Sequence, residues 1–202
     1  MMRTRLLSLL LLPSLLTGCI NVGIGAKTKV TPNLLTLVPI AMRGATPEQT
    51  PTADQAVSIA QPLTPQWLGY NRIPVQSASG RITYLVDANW VEPPAALFRG
   101  LLTEVVSNKM GRVVIDPREL PIVTGTRLSG QLIAFGVDDS SREAVVVYDA
   151  LLVRKGTVQV ASRRFTARVP LATVNGAQAG AALNVAANQV AAEVAEWIGR
   201  SS

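Results

Sequence analysis

The strongest constraint on this chain is a block of three β-like runs joined by connections of hairpin length, which favours antiparallel neighbours in one sheet. The first run, residues 126–138, carries apolar side chains on one face and then on the other. This change of phase predicts a β-bulge near Ala134. The second run, residues 143–155, is apolar on both faces, which predicts a central strand. The third run, residues 157–170, alternates and is typical of a strand with one face toward water.

Two amphipathic segments predict helices that would cover this sheet. The first follows Trp90: Glu92, Pro93 and Pro94 favour a helix start, and Gly111 can end the helix. Its apolar residues recur at helical spacing: Leu97, Leu101, Leu102 and Val105. The second helix is expected from about Ala177 to Ile198. It is dominated by alanine, and such small side chains favour close packing on a sheet.

The remaining segments predict short strands and loops. Short strands are expected at residues 34–40, 54–62, 82–87 and 112–116. Residues 63–81 contain Pro65 and Pro74 and are expected to form an ordered loop. This order of elements predicts an α+β fold: a mixed or antiparallel β-sheet with two main helices packed on one face. Residues 34–200 are expected to form one domain.

The amino-terminal residues have the pattern of a secretory signal that ends in a lipidation site. Residues 1–18 combine two arginines with an apolar run shorter than the ~20 residues needed to cross a bilayer core. The sequence LTGC, which ends at Cys19, is typical of a bacterial lipobox, where the thiol is acylated and the chain is cut before it. Residues 19–33 would then form a lipidated tether. The alternative is an ordinary signal peptide with an incidental buried cysteine.

Acylation of Cys19 would explain why the chain keeps a single cysteine. Each buried acyl methylene contributes ~0.8 kcal/mol, so several chains on one residue hold a domain at a membrane. The next residue is Ile20, and an aspartate there usually signals retention at the inner membrane of Gram-negative bacteria. We therefore expect the lipid anchor to lie at the periplasmic face of the outer membrane.

The composition argues against several classes of function. Removal of residues 1–18 lowers the formal net charge from +6 to +4, and the remaining charges lack the clustered stripe of a nucleic-acid interface. The chain has no histidine, and lipidation would use its one thiol. Histidine relays, nucleophilic cysteine and the usual zinc ligands are therefore missing. We expect no enzyme, no catalytic residue, no metal site and no cofactor beyond the lipid on Cys19.

Three aspartates need an explanation. Asp138 and Asp139 lie beside a hairpin connection, where turn chemistry explains them better than a carboxylate dyad or a calcium site. Asp149 lies inside the most apolar run, and a buried aspartate must be paired or hydrogen-bonded. The arginines expected to pair with Asp149 are Arg127, Arg163 and Arg168.

Residues 63–102 resemble the ABC-type transport auxiliary lipoprotein family. The resemblance rests on two motifs: a Pro-x-aromatic-Leu motif followed by Ile, and a Trp-x-Glu-Pro stretch that opens an amphipathic helix. The matching residues are Pro65, Trp67, Leu68 and Ile73, then Trp90, Glu92 and Pro93. The sequence departs from the family pattern at Leu35, where the family has tyrosine, and at Pro94, where it has leucine.

The resemblance implies a role in transport between membranes. Family members accompany ABC transporters whose periplasmic component carries mammalian-cell-entry (MCE) domains, and these systems move lipids or other hydrophobic compounds. The implied partners are an MCE-domain protein, the ABC permease and, because MCE assemblies are rings, further copies of this chain. The candidate partner-interface residues are Trp67, Tyr70 and Trp90, whose alternative role is to pack the core and fix a loop.

Two other functions remain open from the sequence. A lipid-carrying protein would need an apolar cavity between the helices and the sheet, which the small residues of the last helix could line. A pilot or assembly lipoprotein for an outer-membrane machine would share the anchor and the fold class.

Overall fold

The computed structural model describes residues 31–40, 48–157 and 159–200. The predicted signal peptide (1–18), Cys19 and most of the predicted tether lie outside these residues. The helices and strands are β1 (Asn33–Leu35), β2 (Val57–Ile59), β3 (Arg72–Gln76), β4 (Ile82–Trp90), α1 (Pro94–Met110), β5 (Val114–Ile115), β6 (Thr126–Asp138), β7 (Glu143–Arg154), β8 (Val160–Pro170) and α2 (Gly176–Arg200).

These strands form one mixed sheet organised around β6. β6, β7 and β8 form an antiparallel meander, and β7 pairs with β6 along its whole length. The other edge of β6 is divided between two strands: β2 pairs in parallel with Thr126–Leu128, and β3 pairs in parallel with Val137 and Asp138. β5 extends the sheet beyond β2, whereas β4 and β1 extend it beyond β3. A bridge between Leu63 and Gln131 lies between the two parts.

Both helices lie on one face of the sheet, which confirms the predicted α+β arrangement. Phe98 of α1 meets Tyr148 of β7 with ring centroids 5.3 Å apart. Trp197 of α2 meets Phe165 of β8 at 5.6 Å. A single apolar core joins these helices to the sheet. Within the described residues, no helix combines the length and the apolar character that a membrane span requires.

Two local predictions about the long elements are confirmed. The pairing of β6 with β7 shifts between Leu132 and Ala134, where the bulge was predicted. The bulge keeps Phe135 and Val137 on the same buried side of β6 as Leu132. Helix α1 ends at Met110, and Gly111 closes it in the left-handed conformation with φ 63°.

The predicted loop at residues 63–81 is wrong at its centre, because β3 lies there. β3 pairs with β4 on one side and with β6 on the other, although it contains Pro74. The pairing with β4 is irregular between Arg72 and Pro74. A bulge accommodates a residue that has no N–H to contribute to the ladder, so the proline does not exclude a strand here.

The amino-terminal strap, residues 33–40, lies against β4 and α2. Only Asn33–Leu35 form a strand, in parallel with Ala88–Trp90, whereas a strand was predicted over 34–40. Leu35 and Leu37 pack on the core. A β-carbon at Gly180 of α2 would lie 2.5 Å from the Cδ1 atom of Leu35, so glycine there allows the strap to lie close to the helix.

Candidate functional site

The face of β7 that points away from the helices carries a row of apolar side chains. Val146 and Tyr148 are completely buried on the helix side. The alternate residues Val145, Val147, Leu151 and Val153 lie on the opposite side, which we call the open face. Leu151 is 42% exposed there. The predicted central position of this strand is confirmed, because β7 pairs with β6 on one side and β8 on the other, while its second apolar face lies away from the helices.

A cleft lies at one end of the open face. Its lining includes Trp67, Pro74, Val145, Val147 and Arg168. We call it the Trp67 cleft; its volume is about 160 Å³. Pockets that enclose whole small molecules usually measure ~300–1,000 Å³. The Trp67 cleft therefore has the size of a site for one or two side chains.

An aromatic cluster borders the Trp67 cleft. The hydroxyl of Tyr84 donates a hydrogen bond of 3.1 Å to the main-chain carbonyl of Trp67. Tyr70 packs edge-on against Tyr84, with centroids 6.3 Å apart, and remains 52% exposed. The guanidinium of Arg72 lies 4.6 Å from the centre of the Tyr84 ring. Of the predicted interface residues, Trp67 and Tyr70 thus lie together at an accessible surface.

Trp90 does not belong to this surface. It is the last residue of β4 and is only 1% exposed. Its ring packs edge-on against Phe135, with centroids 5.5 Å apart. Its indole nitrogen is buried without a hydrogen-bond partner among the described residues. Trp90 therefore packs the core, which is the alternative role that the sequence left open, and it is not accessible as a contact residue.

Charged residues on the open face are paired across strands. Asp149 forms two hydrogen bonds of 2.6 Å with Arg164, which lies directly opposite on β8. The hydrogen bonds from Arg164 lower the pKa of the Asp149 carboxyl. Arg168 pairs with Glu143 at 2.9 Å and with Asp138 at 3.5 Å.

These pairs change two expectations about the aspartates. Asp149 is 37% exposed rather than buried, and its partner is Arg164, which was not among the three predicted arginines. The carboxyl of Asp138 accepts hydrogen bonds from Ser140 and Ser141 in the turn, and the Ser140 hydroxyl is the main cause of its lowered pKa. Asp138 therefore has the predicted turn role.

A second cleft lies at the other end of the open face. The β5–β6 loop, residues 116–125, forms one wall with Pro121, Ile122 and Val123. The opposite wall carries Val153 and three cationic residues, Arg127, Arg154 and Lys155. We call it the Arg127 cleft; its volume is about 340 Å³. The two clefts therefore differ in charge: one is mainly apolar and aromatic, and the other is apolar and cationic.

The small residues of α2 pack against the sheet and α1. They include Ala179, Ala182, Ala186, Ala187, Ala191 and Ala195, which are all at most 7% exposed and belong to the continuous core. The side of α2 that could have lined a lipid cavity is thus in contact with the sheet and α1. In the part of the chain that the structure describes, no group of three or more acidic, histidine or cysteine residues lies close enough to hold a metal ion.

The described residues thus form an α+β domain whose sheet leaves one face uncovered by helices, with a shallow cleft at each end of that face. The chain belongs to the family described as the ABC-type transport auxiliary lipoprotein component, whose model matches residues 36–195. The family resemblance drawn from the sequence is thereby confirmed. Membership makes this chain a lipoprotein component of an ABC-type transport system, held at a membrane of the cell envelope. No functionally curated protein matches the sequence.

Two solved structures show the same fold at low sequence identity. The crystal structure of an uncharacterized protein is 18% identical, with a TM-score of 0.66 over 83% of this chain and 99% of that chain. A protein of Xanthomonas campestris from family DUF330 is 20% identical, with a TM-score of 0.63 over 82% of this chain and 91% of that chain.

Proposed function

We propose that this lipoprotein docks through its open face onto the periplasmic MCE-domain protein of an ABC transporter that moves lipids or other hydrophobic compounds. The Trp67 cleft and its aromatic border carry the proposal. Aromatic residues beside an apolar depression are typical of the centre of protein interfaces, where a few such residues supply most of the binding energy. Tyr70 and Trp67 would receive an apolar side chain of the MCE protein.

The dimensions of the site favour docking over carriage of lipid. The Trp67 cleft, at about 160 Å³, would hold one or two side chains but no acyl chain of a phospholipid. The buried alanines of α2 pack against the sheet instead of lining a cavity. The protein would therefore guide lipid transfer by positioning the MCE component, without binding the transported molecule itself.

The rest of the proposal concerns location and assembly. The anchor on Cys19 would lie in the periplasmic leaflet of the outer membrane, as Ile20 indicates, and the domain would act there as a non-enzymatic component without a cofactor. Copies of the lipoprotein would form a ring around the end of the MCE assembly. The permease would be an indirect partner, reached through the MCE protein.

Site-specific crosslinking tests this arrangement. A photoreactive amino acid is placed at Leu151 on the open face, or at Val185 on the outer side of α2, in the full-length lipoprotein in native envelopes. The two positions are a matched pair, because Leu151 is 42% exposed and Val185 is 39% exposed. We expect a crosslink to the MCE-domain protein from position 151 and none from position 185.

Other products would lead to different conclusions. Equal crosslinking from both positions would refute the open face as the docking surface. A secretin or another β-barrel protein captured from position 151, with no MCE protein, would instead support the pilot function.

A further inference from the structure

The β5–β6 loop presents apolar side chains to solvent. All residues from Arg118 to Val123 are exposed. Among them, Leu120 is 49% exposed, Ile122 is 41% exposed and Val123 is 72% exposed. Three large apolar side chains within four residues form an apolar tip on the surface of the domain.

The base of this loop is fixed on both sides, so the apolar tip is held outward. On the first side, the buried Asp116 carboxylate pairs with Arg99 of α1 at 2.9 Å and with Arg118 at 3.0 Å. On the second side, the Thr124 hydroxyl donates a hydrogen bond of 2.9 Å to the carbonyl of Thr126 and lies 3.0 Å from the Ser58 hydroxyl, with which it shares a second hydrogen bond.

Two cations of the Arg127 cleft lie beside the apolar tip, and the loop itself also carries the exposed Arg118 and Glu119. Arg127 lies beside Ile122 and Val123 in the Arg127 cleft, and no other described residue makes an ion pair or a hydrogen bond with its side chain. Lys155 is 55% exposed and, among the residues that the structure describes, forms an ion pair only with the exposed Asp54. Exposed pairs contribute little, so Lys155 can exchange this partner for another anion at small cost.

We propose that the β5–β6 loop is a second membrane contact, in which the apolar tip enters the headgroup region of a bilayer and Arg127 and Lys155 bind anionic headgroups. Apolar side chains bordered by cations match the two layers of such a surface, because acyl chains lie beneath negatively charged phosphates. The lipid anchor brings the loop to the membrane, and the loop then fixes the orientation of the domain.

The reach of the chain allows this contact. Thr31 lies twelve positions after Cys19, and an extended chain of twelve steps spans at most ~40 Å. This distance is comparable with the diameter of a domain of this size, which is about 30–40 Å. The inference needs the lipid anchor of the family but does not depend on the proposed MCE partner.

A depth measurement on the lipidated full-length protein tests the proposal. Because acylation occupies Cys19, a Val123→Cys variant offers one free thiol for an environment-sensitive fluorophore. Val86→Cys is the matched control, since Val86 on β4 is also 72% exposed. The labelled proteins are reconstituted into vesicles of phosphatidylethanolamine with or without phosphatidylglycerol. An unchanged circular dichroism melting curve verifies that each variant is folded.

We expect the label at position 123 to shift to the blue and to be quenched several-fold more slowly by an aqueous quencher, only when phosphatidylglycerol is present. The label at position 86 should remain accessible in both vesicles. Adding Arg127→Gln to Val123→Cys should weaken the contact about fivefold, the effect of removing one cation near an anionic surface.

Two results would overturn the proposal. One is equal quenching at positions 123 and 86 in both vesicles. This result would show that the apolar tip does not enter the bilayer and would favour a contact with a protein partner. The other is equal protection with and without phosphatidylglycerol, which would exclude the cations as headgroup ligands. Because these vesicles contain no MCE protein, neither result bears on the docking proposal.

Discussion

Asn188 of α2 binds the main chain of the amino-terminal strap at Ile40, 148 residues away in sequence. Its side-chain oxygen accepts a hydrogen bond of 2.9 Å from the N–H of Ile40, and its amide nitrogen donates one of 3.0 Å to the carbonyl of Val38. One turn earlier, Asn184 accepts a hydrogen bond of 2.8 Å from the N–H of Val38. Two asparagines of a helix thus replace the neighbouring strand that this part of the strap lacks.

Replacing Asn188 with alanine should release the end of the strap. The change leaves two main-chain groups without partners and should lower the free energy of unfolding by about 1–2 kcal/mol. Urea denaturation measures the loss, and hydrogen exchange at the Ile40 amide locates it. Gln189→Ala is the control, because Gln189 is exposed. Unchanged exchange at Ile40 in Asn188→Ala would show that these hydrogen bonds do not hold the strap.

Asp116 should contribute far more to stability than Asp149, although both pair with arginine. The side chain of Asp116 is 2% exposed and that of Asp149 is 37% exposed. Asp116→Ala leaves the partly buried Arg99 without its anion and should cost about 3 kcal/mol. Asp149→Ala removes an exposed pair and should cost at most about 1 kcal/mol. Equal losses in chemical denaturation would contradict this ranking.

The same aspartate should make the fold sensitive to acid. The hydrogen bonds from Arg118, with support from Arg99, lower the pKa of Asp116 below its ordinary value of 3.8, although burial opposes the shift. A group with a lowered pKa in the folded state stabilises the protein above its unfolded pKa, and this contribution is lost as the pH falls through the folded value. We therefore expect the free energy of unfolding to fall below about pH 4, and less steeply in Asp116→Asn. Parallel curves for the two proteins would refute this role of Asp116.

Two glycine-to-alanine changes should have opposite effects. A β-carbon at Gly136 of β6 would lie 2.5 Å from the carbonyl oxygen of Pro74, so Gly136→Ala must push β3 away and should cost about 1–3 kcal/mol. Gly100 in α1 has no atom within 4 Å of the corresponding position, and Gly100→Ala should stabilise the helix by about 1 kcal/mol. Thermal unfolding of both variants checks the signs. A neutral Gly136→Ala would mean that β3 can shift freely at the Trp67 cleft.

Features that depend on neighbouring residues alone, such as a bulge or a helix end, could be predicted from the sequence. The phase change at Ala134 located the bulge of β6, and the prolines before α1 with Gly111 after it located the ends of that helix. β3 was missed because Pro74 normally argues against an interior strand. Only the irregular pairing next to Arg72 makes the proline acceptable, and such a pairing depends on the partner strand.

The candidate site was harder to predict because it depends on the pairing register of the strands and on which face of the sheet the helices cover. Asp149 pairs with Arg164 because they lie directly opposite in the β7–β8 ladder, and no composition rule distinguishes Arg164 from Arg163. The apolar residues on both faces of β7 correctly predicted a central strand, but only the positions of the two helices decide which of its faces is covered. Tyr70 and Trp90 are both aromatic and look alike in the sequence. Only tertiary packing makes one exposed and the other buried.

The divided edge of β6 gives the sheet two parts that can deform separately. β2 and β5 attach at Thr126–Leu128, β3 and its neighbours attach at Val137 and Asp138, and a single bridge at Leu63 lies between. A partner that pulls on one end would therefore load one group of short strands before it loads the longer ladders of β6, β7 and β8. A force applied at the Trp67 cleft would then act mainly on β3, whereas a force applied at the β5–β6 loop would act mainly on β2 and β5.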